Sequence, residues 1–124
     1  MTPVIVACAS GFTSILQRLL EYKFAVNSAD NKSKTGLHHA IENRQDHMIM
    51  YLCDRPDVDV TLLDVDGNNC FHYLAKTPCT NSTSEIIKEL LARGASINER
   101  NLKGESPLYV SLVSGMKSSL NVFY

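Results

Sequence analysis

The chain has 124 residues, of which 20% are charged, and its formal net charge is −1. This length suits one modest domain, and no basic cluster or long apolar stretch indicates nucleic-acid binding or insertion into a membrane. Four cysteines without close pairing suggest a reducing compartment, so we expect a cytoplasmic or nuclear protein.

A similar pattern recurs along the chain at intervals between 33 and 37 residues. Its four starting positions are Thr2, Thr35, Asn69 and Ser106. A period near 33 is typical of a solenoid, in which each unit buries its apolar face only against its neighbours. We therefore expect one domain over residues 1–124 with incomplete first and last units. The predicted units are approximately residues 1–30, 31–64, 65–101 and 102–124.

The first two units predict a pair of helices each. In the first unit we expect helices over residues 3–10 and 13–21, with Thr13 as the cap of the second. A projecting hairpin-like turn follows. In the second unit we expect helices over residues 36–43 and 46–53, with Asp46 as a cap. Arg44, between them, is predicted to adopt a left-handed conformation.

The third unit is irregular, because a loop over residues 77–82 separates its helices and lengthens the repeat. The first of these helices is predicted over residues 70–76. The second begins after a cap at Ser82 or Thr83 and ends where Gly94 stops it. Cys79, on the loop, is expected to be exposed. The fourth unit begins at Ser106 and ends within its second helix.

The residues that recur at equivalent positions of successive units resemble those of a known family. The motifs are Thr35-Gly36-Leu37-His38-His39-Ala40, Cys70-Phe71-His72, Ser106-Pro107-Leu108-Tyr109 and Gly94-Ala95-Ser96-Ile97-Asn98. They resemble the ankyrin repeat over essentially the whole chain. The resemblance implies an all-α solenoid of stacked helix-turn-helix units with projecting hairpin-like turns.

The resemblance also implies structural roles for two histidines. His38 and His72 are expected to hydrogen-bond backbone groups of a neighbouring turn, and Thr35 to pair locally with its histidine. In the first and fourth units Ile5 and Tyr109 take the histidine position, so those turns should lack this bond. Cys8, Cys53 and Cys70 are expected at packed positions.

Both ends of the array are abrupt. We expect them to expose apolar side chains at Val4, Ile5, Leu120, Val122 and Phe123. Such ends favour a part of a longer ankyrin array, and the alternative is a short protein that covers its ends by other means.

The resemblance implies a protein-protein interaction module that binds a partner protein through a concave groove, as an adaptor or inhibitor. One alternative is a docking segment of a larger enzyme, channel or scaffold. Another is an inhibitor resembling the cytoplasmic regulators of NF-κB-type transcription factors. The sequence contains no phosphate-binding, nucleophile or metal-ligand motif, so we expect no cofactor, no metal and no catalysis.

Partner binding is expected at variable positions of the turns and first helices. The candidate residues are Lys32, Lys34, His39, Glu42, Asn43, Asp66, Asn68, Tyr73, Lys76, Lys103 and Glu105. Ser33, Val65, Leu102 and Val110 are predicted to face the same way. Tyr73 is the best anchor candidate, because an aromatic ring with a polar tip suits an interface. Its alternative role is packing against the long loop.

Overall fold

The computed structural model describes residues 2–77 and 82–114, without the side chains of residues 113 and 114. These residues contain seven helices and no regular strand, which confirms the predicted all-α architecture. The helices are α1 (Pro3–Ser10), α2 (Thr13–Glu21), α3 (Gly36–Glu42), α4 (Asp46–Asp54), α5 (Cys70–Ala75), α6 (Thr83–Ala92) and α7 (Pro107–Ser114). The predictions for Cys79, Leu120, Val122 and Phe123 lie outside the described residues. No helix in the described part is long and apolar enough to span a membrane.

The helices stack in two layers, as a solenoid requires. The first helices pack in succession, α1 on α3, α3 on α5 and α5 on α7, and α4 packs on α6 in the second layer. We call α1 and α2 the first unit. The second, third and fourth units add a hairpin before their helices, at residues 30–34, 64–68 and 101–105 respectively. The fourth unit is described only through α7.

The first helix of each unit begins at a capping side chain. The hydroxyl of Thr2 accepts a hydrogen bond from the Ile5 amide, and Thr35 accepts one from the His38 amide. Asn69 takes the same role for α5. Such caps satisfy amides that have no partner within the helix.

The predicted caps of the second helices are wrong. Thr13 and Asp46 are the first helical residues, and Phe12 and Gln45 occupy the N-cap positions without a capping side-chain bond. The reason is the tight connection between the paired helices. The Phe12 amide bonds the Ala7 carbonyl at 3.0 Å, and the Gln45 amide bonds Ala40 in the same way, so the second helix starts at once. Ser82 precedes α6 as predicted, but it too forms no side-chain cap.

Left-handed residues end several helices. Arg44 has φ 57°, which confirms the prediction for this position, and Gly11 has φ 74° at the equivalent place in the first unit. Gly94 has φ 94° and ends α6 as expected. A residue with a side chain costs on the order of 1 kcal/mol in this conformation relative to glycine.

The apolar core runs between the two layers, and it includes two residues that we expected to be exposed. Val4 and Ile5 are only 1% and 0% exposed. The prediction was wrong because α1 packs directly against α3. The two helices are so close that a Cβ atom on Gly36 would clash with the side chain of Cys8. The exposed large apolar residues of the first unit are instead Val6, Phe12, Ile15, Tyr22 and Phe24.

Candidate functional site

The three hairpins are built alike and are joined to one another. In each, an amide and a carbonyl four residues apart are bonded, for example the Asp30 amide and the Lys34 carbonyl at 3.0 Å. The Val65 amide then donates to the Lys32 carbonyl, and the Leu102 amide to the Asp66 carbonyl, both at 2.9 Å. These bonds form a continuous edge, and we call the surface of hairpins and adjoining first helices the hairpin face.

A side-chain oxygen fixes each hairpin tip. Asp30 Oδ1 accepts the amides of Lys32 and Lys34 at 2.9 and 3.0 Å. Asp64 and Asn101 bind the corresponding amides in their own hairpins. Although its burial opposes the shift, hydrogen bonds from His39 and these amides lower the pKa of Asp30 to about 2. The carboxylate therefore stays charged and holds the turn.

Two histidines, His38 and His72, hydrogen-bond backbone groups of a neighbouring turn, as predicted. His38 Nδ1 accepts the Thr35 amide at 3.1 Å, and its Nε2 donates to the Leu62 carbonyl at 3.1 Å. His72 repeats the first of these bonds, with the Asn69 amide, but its Nε2 lies 2.8 Å from the Glu105 carbonyl, inside the fourth hairpin, whereas Leu62 precedes the third. With Nδ1 accepting and Nε2 donating, the imidazole of His38 is neutral, and burial lowers its pKa to about 4.

Tyr73 is not the exposed anchor that we predicted, because its side chain is only 6% exposed. The ring stacks on His38 of the preceding unit, with the centroids 4.8 Å apart. Its hydroxyl donates to Asp64 Oδ2 at 2.5 Å. Burial and the adjacent Asp64 carboxylate raise the pKa of Tyr73. The Tyr73 ring thus fills the space between the second and third units.

Lys34 also contacts the Tyr73 ring at this junction. Its ammonium lies 2.8 Å from Glu42 Oε1 and 5.4 Å from the centre of the Tyr73 ring, a distance that suits a cation–π contact. We call the contact of the second and third units, made by Lys34, His38, Glu42, Asp64 and Tyr73, the closed junction. His39, at the position equivalent to Tyr73 in the second unit, is likewise engaged, with Nε2 3.0 Å from Asp30.

The contact of the third and fourth units differs. Its equivalent positions hold Asn68 for Lys34, Lys76 for Glu42 and Val110 for Tyr73. Val110, which we expected on the open surface, is buried, but it is too small to fill the place of a tyrosine. A cleft of about 110 Å³ remains, and we call this contact the open junction. The cleft is lined by Asp66, Asn68, Lys76, Asn101, Lys103, Glu105 and Val110.

Polar groups in the cleft are only partly engaged. Asn101 donates to Asn68 Oδ1 at 2.9 Å and to Glu105 Oε1 at 3.0 Å. In the described part of the chain, by contrast, no carboxylate pairs with the ammonium of Lys76 or Lys103. The cleft therefore holds two lysines and two carboxylates, Asp66 and Glu105, and no ion pair within the described residues joins them.

The predicted partner-binding residues divide by exposure. The exposed ones are Lys32, Glu42, Asn43, Asp66, Lys76 and Lys103, and the partly buried ones are Lys34, His39, Asn68 and Glu105. All but Tyr73 thus reach the surface of the hairpin face. Several of the partly buried side chains already support the hairpins.

The cysteines occupy structural positions. Cys8, Cys53 and Cys70 are buried free thiols, and burial raises the pKa of each to between about 11 and 12. Such thiols act as small apolar side chains. Among the residues described, no three histidine, cysteine, aspartate or glutamate side chains are placed to hold a metal ion.

Sequence reasoning missed Arg93, which ends α6. Its guanidinium donates to the carbonyls of Arg55 and Val58, both at 2.7 Å, and to that of Cys53. These carbonyls end α4 and begin the following turn, so Arg93 joins the third unit to the second on the side away from the hairpins. The only sign of this role in the sequence is that the arginine directly precedes Gly94, the glycine expected to end the helix.

The chain is similar to known proteins over nearly its whole length. Residues 1–64 match the family model for ankyrin repeats (3 copies), and residues 66–102 match that for a single ankyrin repeat. A probable serine/threonine-protein kinase of Dictyostelium discoideum is 27% identical over 115 residues, which cover 90% of this chain and 14% of the kinase.

Two further relatives carry the same repeats. A putative ankyrin repeat protein of fowlpox virus is 31% identical over 110 residues, covering 88% of this chain and 14% of the viral protein. Mouse NF-kappa-B inhibitor delta is 30% identical over 99 residues, covering 77% of this chain and 30% of the inhibitor. The chain therefore spans less than a third of each of these relatives.

Proposed function

The chain belongs to the ankyrin repeat family, and from this premise we propose that it is a protein-binding module whose hairpin face holds a segment of a partner protein. Ankyrin repeats generally mediate protein-protein interaction, and the hairpin face corresponds to the concave groove of such an array. In this role the module acts by binding, without chemistry of its own.

The continuous hairpin edge supports the proposal most directly. Its inter-hairpin bonds join Val65 to Lys32 and Leu102 to Asp66, and each tip is fixed by its own side-chain oxygen. A surface that is rigid before binding loses little conformational entropy on association. Exposed polar side chains along this edge, such as Lys32 and Lys103, are not needed for packing, which leaves them available to a partner.

The predicted site residues then take two kinds of role. We propose that exposed side chains such as Lys32, Asn43 and Lys103 contact the partner. His39 and Tyr73, engaged with Asp30 and Asp64, would instead position the hairpins that carry those contacts.

The test compares two double charge reversals on the full chain. A partner is first captured from cell extract, identified and purified, and its dissociation constant is then measured by calorimetry. Lys32→Glu with Lys103→Glu, on the hairpin face, should weaken binding at least tenfold, about 1.4 kcal/mol. Arg18→Glu with Lys88→Glu, on the exposed faces of α2 and α6, should change it less than about twofold. The reverse result would place recognition on the second helices and refute the proposal.

A docking segment within a larger protein is the second candidate. The similarity supports it, because the matched regions make up 14% of the Dictyostelium kinase and of the fowlpox protein. A third, narrower version is an inhibitor of NF-κB-type transcription factors, which the 30% identity with mouse NF-kappa-B inhibitor delta supports. The three buried free thiols fit a reducing compartment, and we propose a cytoplasmic or nuclear location.

A further inference from the structure

The first unit exposes several apolar side chains. Val6, Phe12, Ile15 and Tyr22 are each about half exposed or more. A groove of about 370 Å³ runs beside α2, and it is lined by Ser14, Ile15, Arg18, Leu19 and Tyr22. A contiguous apolar surface of this kind is commonly one that another element covers. We call the surface formed by Val6, Phe12, Ile15, Leu19 and Tyr22 the outer face of the first unit.

The repeats show what covers the equivalent surface of an inner unit. Both α2 and α4 begin directly after their N-cap residues, Phe12 and Gln45, so Ile15 is equivalent to Met48. Met48 is 0% exposed, whereas Ile15 is 51% exposed. Each of the two lies between its own first helix and a following unit, and within the described residues only Met48 also has a preceding unit. The preceding unit therefore accounts for the difference in burial.

Val6 gives the same comparison in the first helices. Its equivalents, at the same distance from the cap in the third and fourth units, are Tyr73 and Val110. Both are 6% exposed, against 49% for Val6. The Tyr73 ring stacks on His38 of the preceding unit. A valine at this position is thus buried where a unit precedes it, as Val110 is, and exposed where the described chain places none.

The start of α2 has an apolar residue where the second unit has a polar one. Gln45 Nε2 donates to the Ala9 carbonyl at 3.3 Å, so this position reaches the preceding unit. The first unit has Phe12 there. The end unit of an array needs a polar outer face for solubility. The first unit therefore has the side chains of an inner contact and lacks those of a cap.

The backbone that enters α1 is also that of an inner unit. Thr2 has φ −86° and ψ 158°, close to the φ −87° and ψ 173° of Thr35. In the second unit this extended residue follows the hairpin that leads from the preceding unit. The same connection therefore fits before Thr2 without a change of backbone conformation.

From these observations we propose that a further ankyrin unit, joined to Thr2 through a hairpin of the same polypeptide, covers the outer face of the first unit. Its first helix packs on α1 as α1 packs on α3, and its second helix covers Ile15 and Leu19. This inference does not depend on which partner the hairpin face binds.

The proposed contact is tested by adding a consensus ankyrin unit of about 33 residues in place of Met1. The added unit should raise the urea midpoint of the chain by at least about 1 M, because it buries the outer face. Amide hydrogen exchange in α1 and α2 should slow at least tenfold. An unchanged midpoint and unchanged exchange would show that the face does not fit such a unit.

Two variants locate the contact. Ile15→Glu should abolish both gains, because it places a charge at the position that is buried in Met48. In the 124-residue chain, where Ile15 is half exposed, the same variant should shift the midpoint by less than about 0.3 M. Leu91→Glu, at a residue of α6 that is 44% exposed, is the matched control and should leave both gains intact. Gains that survive Ile15→Glu overturn the inference.

The native polypeptide identifies the occupant. Antibodies against the full chain recover the protein from its source cells, and mass spectrometry then sequences its peptides. We expect a polypeptide heavier than 13.8 kDa, with an ankyrin unit directly before Thr2. A native protein that begins at Met1, or a preceding segment without the repeat motif, overturns the inference.

A second copy of the chain is the competing occupant. If the 124-residue chain sediments as a dimer that Ile15→Glu dissociates, and the native protein begins at Met1, the outer face is a contact between copies and the inference fails. None of these outcomes bears on the charge reversals of the hairpin face, which test the proposed function separately.

Discussion

The two inner junctions of the solenoid have the same backbone frame and different side chains. In both, a histidine of the first helix bonds a backbone carbonyl in or just before the next hairpin, and a backbone bond joins successive hairpin tips. Tyr73 seals one junction and Val110 leaves the other open. The comparison teaches that the backbone frame repeats because it makes the fold, whereas the side chains outside that frame decide whether the contact between units is filled or leaves a cleft.

The difference has an energetic side. At the closed junction a buried ring, a stacked imidazole and an ion pair with Lys34 stabilise the contact between units. At the open junction Lys76 and Lys103 are exposed and form no ion pair with a described residue, so this contact gains no such stabilisation. We therefore expect the closed junction to contribute more to stability than the open junction.

Replacing the two equivalent residues with alanine should give the largest effect. Tyr73→Ala removes a buried ring and its hydrogen bond to Asp64, so we expect a loss of about 3–5 kcal/mol of unfolding free energy. Val110→Ala removes two methyl groups beside an existing cleft and should cost about 2 kcal/mol. Urea unfolding followed by circular dichroism measures both. Equal losses would remove the distinction between the junctions.

A conservative change serves as the control. Tyr73→Phe keeps the ring on His38 and loses only the hydroxyl, while Asp64 keeps its two backbone donors. Its expected cost is about 1–2 kcal/mol. A loss as large as that of the alanine variant would mean that the hydrogen bond, and not the packed ring, closes the junction.

The closed junction should also weaken in acid. Burial lowers the pKa of His38 to about 4, with Lys34 and His39 acting in the same direction and Asp64 against it. Between the ordinary histidine pKa of 6.5 and pH 4, the unfolded chain binds the proton and the folded one does not, so stability falls as the pH falls. The total loss corresponds to about 3 kcal/mol.

This acid effect can be assigned with one variant. Urea titrations at several pH values between 7 and 4 should show the loss, and His38→Gln should reduce its slope within that window. An unchanged slope in the variant would assign the titration to another group.

Arg93 should stabilise the same junction from its other edge. Arg93→Ala leaves the carbonyls of Arg55 and Val58 without their charged donor, and we expect a loss of about 2 kcal/mol in urea unfolding. Arg100→Ala is the matched control, because Arg100 bonds only Gly104 of its own hairpin, at 3.4 Å. Its cost should stay below about 0.5 kcal/mol. Similar costs for both would show that Arg93 does not join the units.

Much of the repeated frame could be predicted from the sequence because its residues act locally or on a neighbouring turn. The local pairing of Thr35 with His38, the backbone bonds of His38 and His72 and the left-handed Arg44 all follow from position within a unit. The caps of the second helices were mispredicted because the tight connection before them, and not a side chain, decides where those helices start.

Whether side chains fill each junction or leave a cleft could not be predicted in the same way. Whether Tyr73 is buried depends on the imidazole of the preceding unit, and whether Val110 leaves a cleft depends on volumes contributed by two units. The contact of Arg93 with Val58 spans 35 residues and has no sequence period. Val4 and Ile5 are buried because α3 covers α1, which local pattern does not reveal.

The smallest predicted effect lies inside one unit and away from both junctions. Arg44 has φ 57° between α3 and α4, where Gly11 has φ 74° in the first unit. Arg44→Gly relieves backbone strain but makes the unfolded chain more flexible, so the net gain in unfolding free energy should be at most about 1 kcal/mol. Urea unfolding measures it, and a loss would show that the arginine side chain makes a stabilising contact. Because the site is remote, the cost of Tyr73→Ala should be the same in the Arg44→Gly background within about 0.5 kcal/mol. A larger discrepancy would mean that the strained turn and the closed junction are coupled, and that stability is not confined to the contacts between units.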